Sequence, residues 1–264
     1  MLKLHQVSKT FNPGTINEKK ALKSIDLHLK PGDFVTVIGG NGAGKSTMLN
    51  AVAGVWPVDE GSVVIDGTDV TGMPEHVRAQ FIGRGFQEPM TGTAPNMQIE
   101  ENLALASRRG RKRGLRWGVT NAEREEYHEK LKILGLGLED RLTAKVGLLS
   151  GGQRQALTLL MATLRRPKLL LLDEHTAALD PATAKKVLEI TDMLIEQNQL
   201  TTLMITHNMK DAIRHGNRLI MMNEGRIIFD VSGEEKSKLT KADLMDKFAE
   251  IAGAGLESDE ILLS

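Results

Sequence analysis

The stretch Gly39-Gly40-Asn41-Gly42-Ala43-Gly44-Lys45-Ser46 decides the fold of this chain. It fits the pattern G-x-x-x-x-G-K-[ST], and it stands between the apolar run Phe34–Ile38 and a helical pattern that includes Met48, Leu49 and Val52. Glycines let the backbone curl so that several N–H groups point inward, and the following helix adds its positive N-terminal end. A glycine-rich turn with an incidental lysine would not also have this strand and this helix beside it. The context predicts a loop that holds a polyphosphate, and we call it the phosphate loop.

Most residues of the phosphate loop are expected to contact a nucleotide. The predicted contacts are Gly39, Asn41, Gly42, Ala43, Gly44, Lys45, Ser46 and Thr47. Lys45 is expected to reach the β- and γ-phosphates of ATP, and the Ser46 hydroxyl is expected to bind Mg²⁺. Loops of this kind serve many functions, so the remaining motifs must narrow the activity.

Strand-like runs along the chain indicate the fold class. Four of them are separated by helical patterns, which predicts a parallel sheet of α/β type. These runs are 34–38, 81–86, 169–172 and 201–205. Leu2-Lys3-Leu4 is predicted to be an edge strand, and together with 26–30 and 63–65 it predicts a small antiparallel β lobe. Helix formers dominate 98–164, which predicts a helical lobe inserted in the core at about 88–165.

Two carboxylates end one of the buried runs. Leu169-Leu170-Leu171-Leu172 is followed at once by Asp173 and Glu174. Asp173 is placed to hold Mg²⁺ through its hydration shell, and Glu174 is placed to polarise the water that attacks the γ-phosphate. An ordinary acidic turn is the alternative if this run is taken alone, but the phosphate loop favours the catalytic interpretation.

Polar residues follow two further runs. Gln87 closes the run 81–86, and His207 follows the run 201–205. Because the carboxyl ends of parallel strands meet at the ligand-binding edge of an α/β sheet, both residues are expected near the nucleotide. Gln87 is predicted to contact Mg²⁺ and the attacking water, and His207 is predicted to contact the γ-phosphate. Taken separately, a surface glutamine and a strand-end histidine are equally good interpretations.

Leu149-Ser150-Gly151-Gly152-Gln153, which we call the signature segment, precedes an apolar stripe of helical spacing that begins at Leu157. Ser150 and Gln153 satisfy the S-x-x-Q capping box, so the local interpretation is a well-capped helix start. Two glycines beside free helix N–H groups also make a second anion site. Ser150, Gly151, Gly152 and Gln153 are therefore the second group of predicted nucleotide contacts.

A second anion site has a consequence for assembly. One compact ATP is already held by the phosphate loop, so the signature segment of one subunit is expected to close over the ATP of another. A two-fold, head-to-tail dimer with two sandwiched nucleotides follows from this arrangement.

In this order, the phosphate loop, Gln87, the signature segment, the run ending in Asp173 and Glu174, Ala178-Leu179-Asp180 and His207 resemble an ABC ATPase. The resemblance covers residues 1 to about 232. It implies a RecA-like core with an antiparallel β lobe and an inserted helical lobe. It also implies that Ser150 and Gly152 act on the partner's ATP, and that Asp180 communicates across the dimer.

The resemblance predicts a contact with the adenine base, and it also shows one position at which this chain differs from the usual family sequence. In the family an aromatic residue near the N-terminus stacks on adenine, and Phe11 is the candidate here, with a buried lobe residue as the alternative. The family usually has D-E-P-T where this chain has Asp173-Glu174-His175-Thr176. His175 leaves both acids in place, but the loop geometry that proline imposes is not expected to carry over unaltered.

Composition limits the partners. Lys+Arg and Asp+Glu both number 34 in 264 residues, so no overall basic field favours nucleic acid, and no specific nucleic-acid partner is expected. No run approaches the roughly 18 to 20 apolar residues of a membrane-spanning helix, and the N-terminus lacks the apolar core of a secretory signal. The absence of cysteine excludes disulfides and thiolate metal sites and fits a reducing cytoplasm.

One local charge cluster stands out against this balance. The stretch 107–117 has six positive charges, from Arg108 to Arg116. A solvated loop is the default interpretation, contact with lipid or a permease is the second, and nucleic-acid binding is the third.

More closely, segments such as THNMKDAIRHGNRLIMMNEGRII look like ATP-binding subunits of tryptophan/tyrosine uptake systems. This resemblance implies an importer motor at the inner face of the cell membrane, with permease subunits and an extracytoplasmic substrate-binding protein. An export motor with a separate permease and a soluble ABC ATPase of cofactor assembly are the alternatives. A non-catalytic binding module is disfavoured because every group needed for turnover is present.

The domain prediction follows from the same resemblance. An ABC ATPase domain is expected at 1–232, followed by a C-terminal helix and a flexible tail at 233–264. Leu244, Phe248 and Ile251 are at helical spacing, so that helix is expected to dock, and 253–264 is expected to be loose.

Overall fold

The computed structural model describes residues 1–88, 90–110 and 118–252. The chain divides into two compact units: the first is Met1–Arg78 with Leu200–Ser264, and the second is Ala79–Gln199. The predicted tail at 253–264 and most of the predicted basic cluster, 111–117, lie outside the described residues.

The first unit begins with β1 (Leu2–Phe11), β2 (Lys19–Leu29), β3 (Phe34–Ile38), α1 (Lys45–Ala53), β4 (Glu60–Ile65), β5 (Thr68–Asp69) and α2 (Glu75–Arg78). The second unit contains β6 (Ile82–Gly85), α3 (Ile99–Ser107), α4 (Asn121–Lys132), 3-10 turns at Glu139–Arg141 and Val146–Leu148, α5 (Gly151–Thr163), β7 (Leu169–Asp173) and α6 (Pro181–Asn198). The first unit resumes with β8 (Thr201–Ile205), α7 (Met209–Arg214), β9 (Arg218–Asn223), β10 (Arg226–Ser232), α8 (Gly233–Ser237) and α9 (Lys241–Ala252).

An antiparallel sheet forms the N-terminal part of the first unit. Its strand order is β2-β1-β4-β5, which confirms the predicted antiparallel lobe. The prediction of an edge strand at Leu2-Lys3-Leu4 is wrong, because Leu2 pairs with Leu29 on one side and with Ile65 on the other. All three of these side chains are buried, so apolar contacts with both neighbouring strands stabilise β1 in the middle of the sheet.

Parallel pairing builds the other sheet of the first unit. β3 pairs in parallel with β8 and β9, and β10 adds to β9 in the antiparallel sense. All five residues of β3 and all five of β8 are buried, as expected for strands covered on both faces. The predicted bounds of both strands match those observed.

The β9–β10 hairpin was not predicted from the sequence. Its two-residue turn is Glu224-Gly225, with φ of 46° and 77°, between the paired residues Asn223 and Arg226. A turn with two positive φ values matches the twist of antiparallel strands. A short Glu-Gly pair between apolar runs is the signal that would have revealed it.

A buried arginine fixes the far end of α1. The guanidinium of Arg78 donates to the carbonyl oxygens of Ala51 at 2.8 Å and Val52 at 2.9 Å, at the C-terminal end of that helix. It also donates to Met73 and Thr71 carbonyls at 2.8 Å each. A cation at a helix C-terminus is favourable, and here it satisfies carbonyls that the helix leaves unpaired.

The second unit has its own parallel pair. β6 and β7 are in register with Gly85 opposite Leu172, and the four leucines of β7 are buried.

The second unit also contains the described part of the basic cluster. Arg108 contacts Glu123 at 3.0 Å, and Arg109 donates to the Ala162 carbonyl at 3.0 Å. These two arginines are half-buried and held within the unit, and the other four basic residues of the cluster lie outside the described residues, so the solvated loop stays a prediction. Burial, with Arg165 nearby, lowers the pKa of Arg109.

The C-terminal helix α9 packs on the first unit. Leu244 and Phe248 are buried in a cluster with residues such as Met209, Leu219 and Val231. Through the described part of the chain, no helix combines the length and the apolar character needed to cross a membrane.

Candidate nucleotide site

The phosphate loop leaves β3 and enters α1, and two neighbouring segments clamp it. Gly44 caps α1 with φ of 99°, and a methyl group at this position would lie 2.5 Å from the Ala21 carbonyl oxygen of β2. On another side of the loop, the Gly225 N–H of the β9–β10 turn donates to the Ala43 carbonyl at 2.9 Å. The backbone that is predicted to hold phosphate is therefore fixed by contacts within the first unit.

Lys45 lies within this loop. Its side chain is buried, and its Nζ donates to the Gly39 carbonyl at 2.6 Å and the Gly40 carbonyl at 3.1 Å. Asn41, Gly42 and Ser46 are exposed. One side of the loop is thus accessible to a ligand, with the lysine ammonium held beside it.

The strand register aligns the phosphate loop with His207. Val37 of β3 pairs with Ile205 of β8. Gly39 comes two residues after Val37, and His207 comes two residues after Ile205. Parallel strands bring such positions to the same edge of a sheet. The Thr206 N–H confirms this alignment by donating to the Val37 carbonyl at 3.1 Å.

The same arrangement recurs in the second unit. Gly85 of β6 pairs with Leu172 of β7, so Gln87 and Glu174 each lie two residues beyond a paired position. Asp173 and Glu174 are half-buried and Gln87 is exposed. The structure brings Gln87 and both acids to one sheet edge within this unit.

Glu174 and His175 have unusual local structure. Glu174 is in the left-handed region with φ of 44°. His175 is buried, and its Nε2 lies 3.0 Å from the Thr191 hydroxyl of α6. That hydroxyl also lies 2.8 Å from the Val187 carbonyl, which can only accept. With its proton donated there, the hydroxyl accepts from the protonated Nε2 tautomer of His175. The histidine therefore anchors the loop after β7 to α6 by a directed hydrogen bond.

The signature segment begins α5 as predicted. Ser150 accepts from the Gln153 N–H at 3.3 Å, and the Gln153 side chain accepts from the Ser150 N–H at 3.2 Å. Both bonds of the predicted capping box are present. Ser150 and Gly151 are exposed, which leaves this helix start accessible.

Asp180 lies beside the signature segment. It caps α6 by accepting from the Thr183 N–H at 3.1 Å, and hydrogen bonds from Thr183, side chain first and then backbone, lower the pKa of its carboxyl. A methyl group on Gly152 would collide with Thr183 Cγ2, and one on Gly151 would lie 3.2 Å from a Leu179 methyl. The glycines of the signature therefore also allow α5 and the start of α6 to pack closely.

Phe11 ends β1 with part of its ring exposed. Its centroid lies 5.5 Å from that of Trp56 in an edge-on arrangement at 87°, and Lys9 Nζ lies 5.8 Å from the Phe11 ring. Aromatic pairs favour this geometry, so the Phe11 ring is held in orientation by its neighbours.

Comparison with known proteins assigns the chain to a protein family. The family model described as ABC transporter matches residues 22–177. The chain belongs to the ABC transporter family.

Relatives of this ABC cassette agree with that assignment. It is 42% identical to a tyrosine transport ATP-binding protein of Clostridioides difficile, over 94% of this chain and 98% of the relative. It is 32% identical to a spermidine/putrescine import ATP-binding protein of Haemophilus influenzae, over 89% of this chain and 59% of that longer relative. A dimeric post-hydrolysis structure of the ATP-binding cassette MJ0796, bound to ADP and phosphate, superposes with a TM-score of 0.74 at 31% identity, over 88% of this chain and 98% of that one.

These findings confirm the predicted fold class: a P-loop NTPase of ABC type with a parallel-sheet core and an antiparallel lobe. This ABC cassette is an ATPase, and it is the motor subunit of an ABC transporter. The roles assigned to individual residues remain predictions, as do the domain boundaries.

The predicted metal ligands of each unit carry the kind of oxygen atom that Mg²⁺ takes as a ligand. Within the described ranges, no group of three or more His, Cys, Asp or Glu side chains is arranged to hold a metal ion. Mg²⁺ that is bound with a nucleotide takes oxygen ligands, with one or two protein carboxylates beside the phosphates, and it keeps several waters. The Ser46 hydroxyl, the Gln87 amide oxygen and the Asp173 carboxylate are suitable oxygen donors for such an ion.

Several features of the site were not predicted from the sequence. Trp56 supports Phe11, Gly225 clamps the phosphate loop, and Thr183 packs on the signature glycine. Each depends on pairing or packing between segments distant in sequence, which motif spacing does not encode. Thr183 alone among them has a local sequence signal. Asp180 followed by Pro-x-Thr is typical of a capped helix start.

Proposed function

We propose that two copies of this cassette bind two MgATP, close upon them and drive a permease pair that imports an amino acid. The observation that supports hydrolysis is the paired strand-end register. Gly39 with His207 in one unit, and Gln87 with Glu174 in the other, emerge at the sites where α/β folds bind ligands.

In the proposed reaction the adenine stacks on Phe11 and the triphosphate lies on the phosphate loop. Lys45 exchanges its loop carbonyls for β- and γ-phosphate oxygens. Mg²⁺, held by Ser46, Gln87 and Asp173, would neutralise charge on the β- and γ-phosphate oxygens.

Glu174 orients a water and accepts its proton as the water oxygen attacks the γ-phosphorus. The bond from that phosphorus to the β–γ bridging oxygen breaks, and ADP leaves with the bond electrons. His207, with Ser150 and Gly152 of the partner subunit, holds the γ-phosphate oxygens during the transfer. Asp180 is proposed to link the two sites across the dimer.

The cargo proposal rests on one comparison. The tyrosine transport relative is similar over almost the whole of both chains, so a tyrosine or tryptophan importer is the best-supported system. We propose that the cassette docks on a permease at the inner face of the cell membrane and works with an extracytoplasmic substrate-binding protein.

Reconstitution tests this proposal. The cassette would be combined with candidate permease and substrate-binding proteins and placed in vesicles that contain ATP. We expect ATP-dependent tyrosine or tryptophan uptake that the Glu174→Gln variant abolishes. Export of the amino acid, or copurification with a soluble scaffold in place of a membrane partner, would favour the export or cofactor-assembly alternative.

A further inference from the structure

A second lysine lies at the phosphate loop. Lys19 begins β2, and its backbone pairs with Phe11, the proposed adenine contact. Its Nζ lies 3.2 Å from the position that a methyl group on Gly42 would occupy. The Lys19 ammonium therefore lies close to the loop at Gly42.

The Lys19 ammonium is available for a ligand. Among the residues that the structure describes, it makes no ion pair and no side-chain hydrogen bond, and the side chain is exposed. Gly42 and Asn41 of the neighbouring loop are exposed as well. A positive charge that pairs with no carboxylate of the described residues therefore borders the open side of the loop.

The contact is set by the fold, because β2 is pinned along the loop. The Ala21 carbonyl lies against Gly44, and the Lys23 N–H donates at 2.8 Å to the carbonyl of Gly225, whose own N–H binds the loop. Lys19 and Lys20 pair with the consecutive residues Phe11 and Thr10 of β1, so their side chains point to opposite faces of β2.

We propose that Lys19 is a second phosphate-binding lysine, which holds the α- and β-phosphates of the bound nucleotide. This inference rests on the proposed nucleotide site. Phe11 takes the base at one end and Lys45 takes the β- and γ-phosphates at the other. Lys19 is paired with Phe11 and reaches the loop at Gly42, so it lies along the path between them. An ammonium is a compact point charge well suited to phosphate oxygens.

The test compares Lys19→Gln with Lys20→Gln in the full-length chain. Each variant loses one exposed positive charge, and the two positions are adjacent in β2. The two variants are therefore matched in net charge and in strand context. Calorimetric titration measures the affinities for ATP and ADP, and steady-state assays measure kcat and KM. A Lys19→Arg variant keeps the charge and is expected to bind like the wild type.

For Lys19→Gln we expect affinity to fall by about 3- to 10-fold, a range typical of one charge-assisted contact near solvent. The affinities for ATP and for ADP are both expected to weaken, because the α- and β-phosphates are common to the two nucleotides. Lys20→Gln is expected to match the wild type.

Each other outcome counts against the inference in a distinct way. Equal affinities of Lys19→Gln and Lys20→Gln, with normal wild-type binding, would overturn the role of Lys19 and leave the proposed function standing. Loss of affinity for ATP alone would assign Lys19 to the γ-phosphate and overturn the α- and β-phosphate contact. A wild-type chain that binds neither nucleotide would refute both proposals.

Discussion

At the scale of single residues, Glu174 combines a proposed catalytic role with an uncommon backbone. Its φ of 44° is in the left-handed region, which costs a non-glycine residue about 1–3 kcal/mol unless its surroundings compensate. The buried His175 that follows, bonded to Thr191, is one such compensation. The residue type of Glu174 and its position after a strand were predictable from the sequence. Its backbone conformation was not, because it depends on a contact with Thr191 of α6, which is 17 positions further along the chain.

Replacing Glu174 with Gln tests its role directly. The amide has a similar shape but cannot accept the proton of the attacking water, so kcat is expected to fall at least ~100-fold. ATP affinity is expected to stay near the wild-type value, because the phosphate loop is unaltered. Glu189→Gln, at an exposed position of α6, is the matched control. Unchanged turnover in Glu174→Gln would remove Glu174 from the mechanism.

At the scale of secondary-structure elements, local signals predicted some parts and missed others. β3 and β8 were predicted with the correct bounds because each is a short run rich in apolar and β-branched residues. The capping box of α5 was predictable because both partners lie within four residues. The β9–β10 clamp on the phosphate loop and the Lys19 contact were not, since they arise from pairing between segments far apart in sequence.

The tie between the loop after β7 and helix α6 gives a prediction for Thr191. Thr191→Val removes the acceptor for His175 Nε2 and leaves a buried donor unsatisfied, which is expected to lower unfolding free energy by about 1–3 kcal/mol. Because Glu174 is adjacent, kcat is expected to fall several-fold with ATP affinity unchanged. Chemical denaturation and steady-state kinetics measure the two effects.

Two further variants separate positioning from general stability. Thr191→Ser keeps the hydroxyl and is expected to retain kcat. Thr163→Val removes another buried hydroxyl that bonds helix carbonyls, at 3.0 and 3.1 Å, but in α5. If Thr163→Val and Thr191→Val lowered kcat alike, the His175–Thr191 bond would have only a structural role.

At the scale of the whole molecule, the proposed site residues are divided between the two units. The first unit supplies the phosphate loop, Phe11, Lys19 and His207, and the second supplies Gln87, Asp173, Glu174, the signature segment and Asp180. We propose that hydrolysis in the dimer uses both sets, with the signature segment contributed by the other copy. Family membership establishes the ATPase, and this exchange of signature segments is the central structural proposal.

Mixing two inactive variants tests that exchange most directly. Lys45→Met removes the phosphate-loop cation, and Ser150→Asp places a negative charge at the second anion site while retaining a good helix cap. Each homodimer is expected to be inactive in an ATPase assay. Random pairing in an equal mixture makes half of the dimers mixed, and each mixed dimer has one intact site of two, so activity is expected to recover to about one quarter of wild type. A mixture no more active than its separate components would contradict the nucleotide-sandwich dimer.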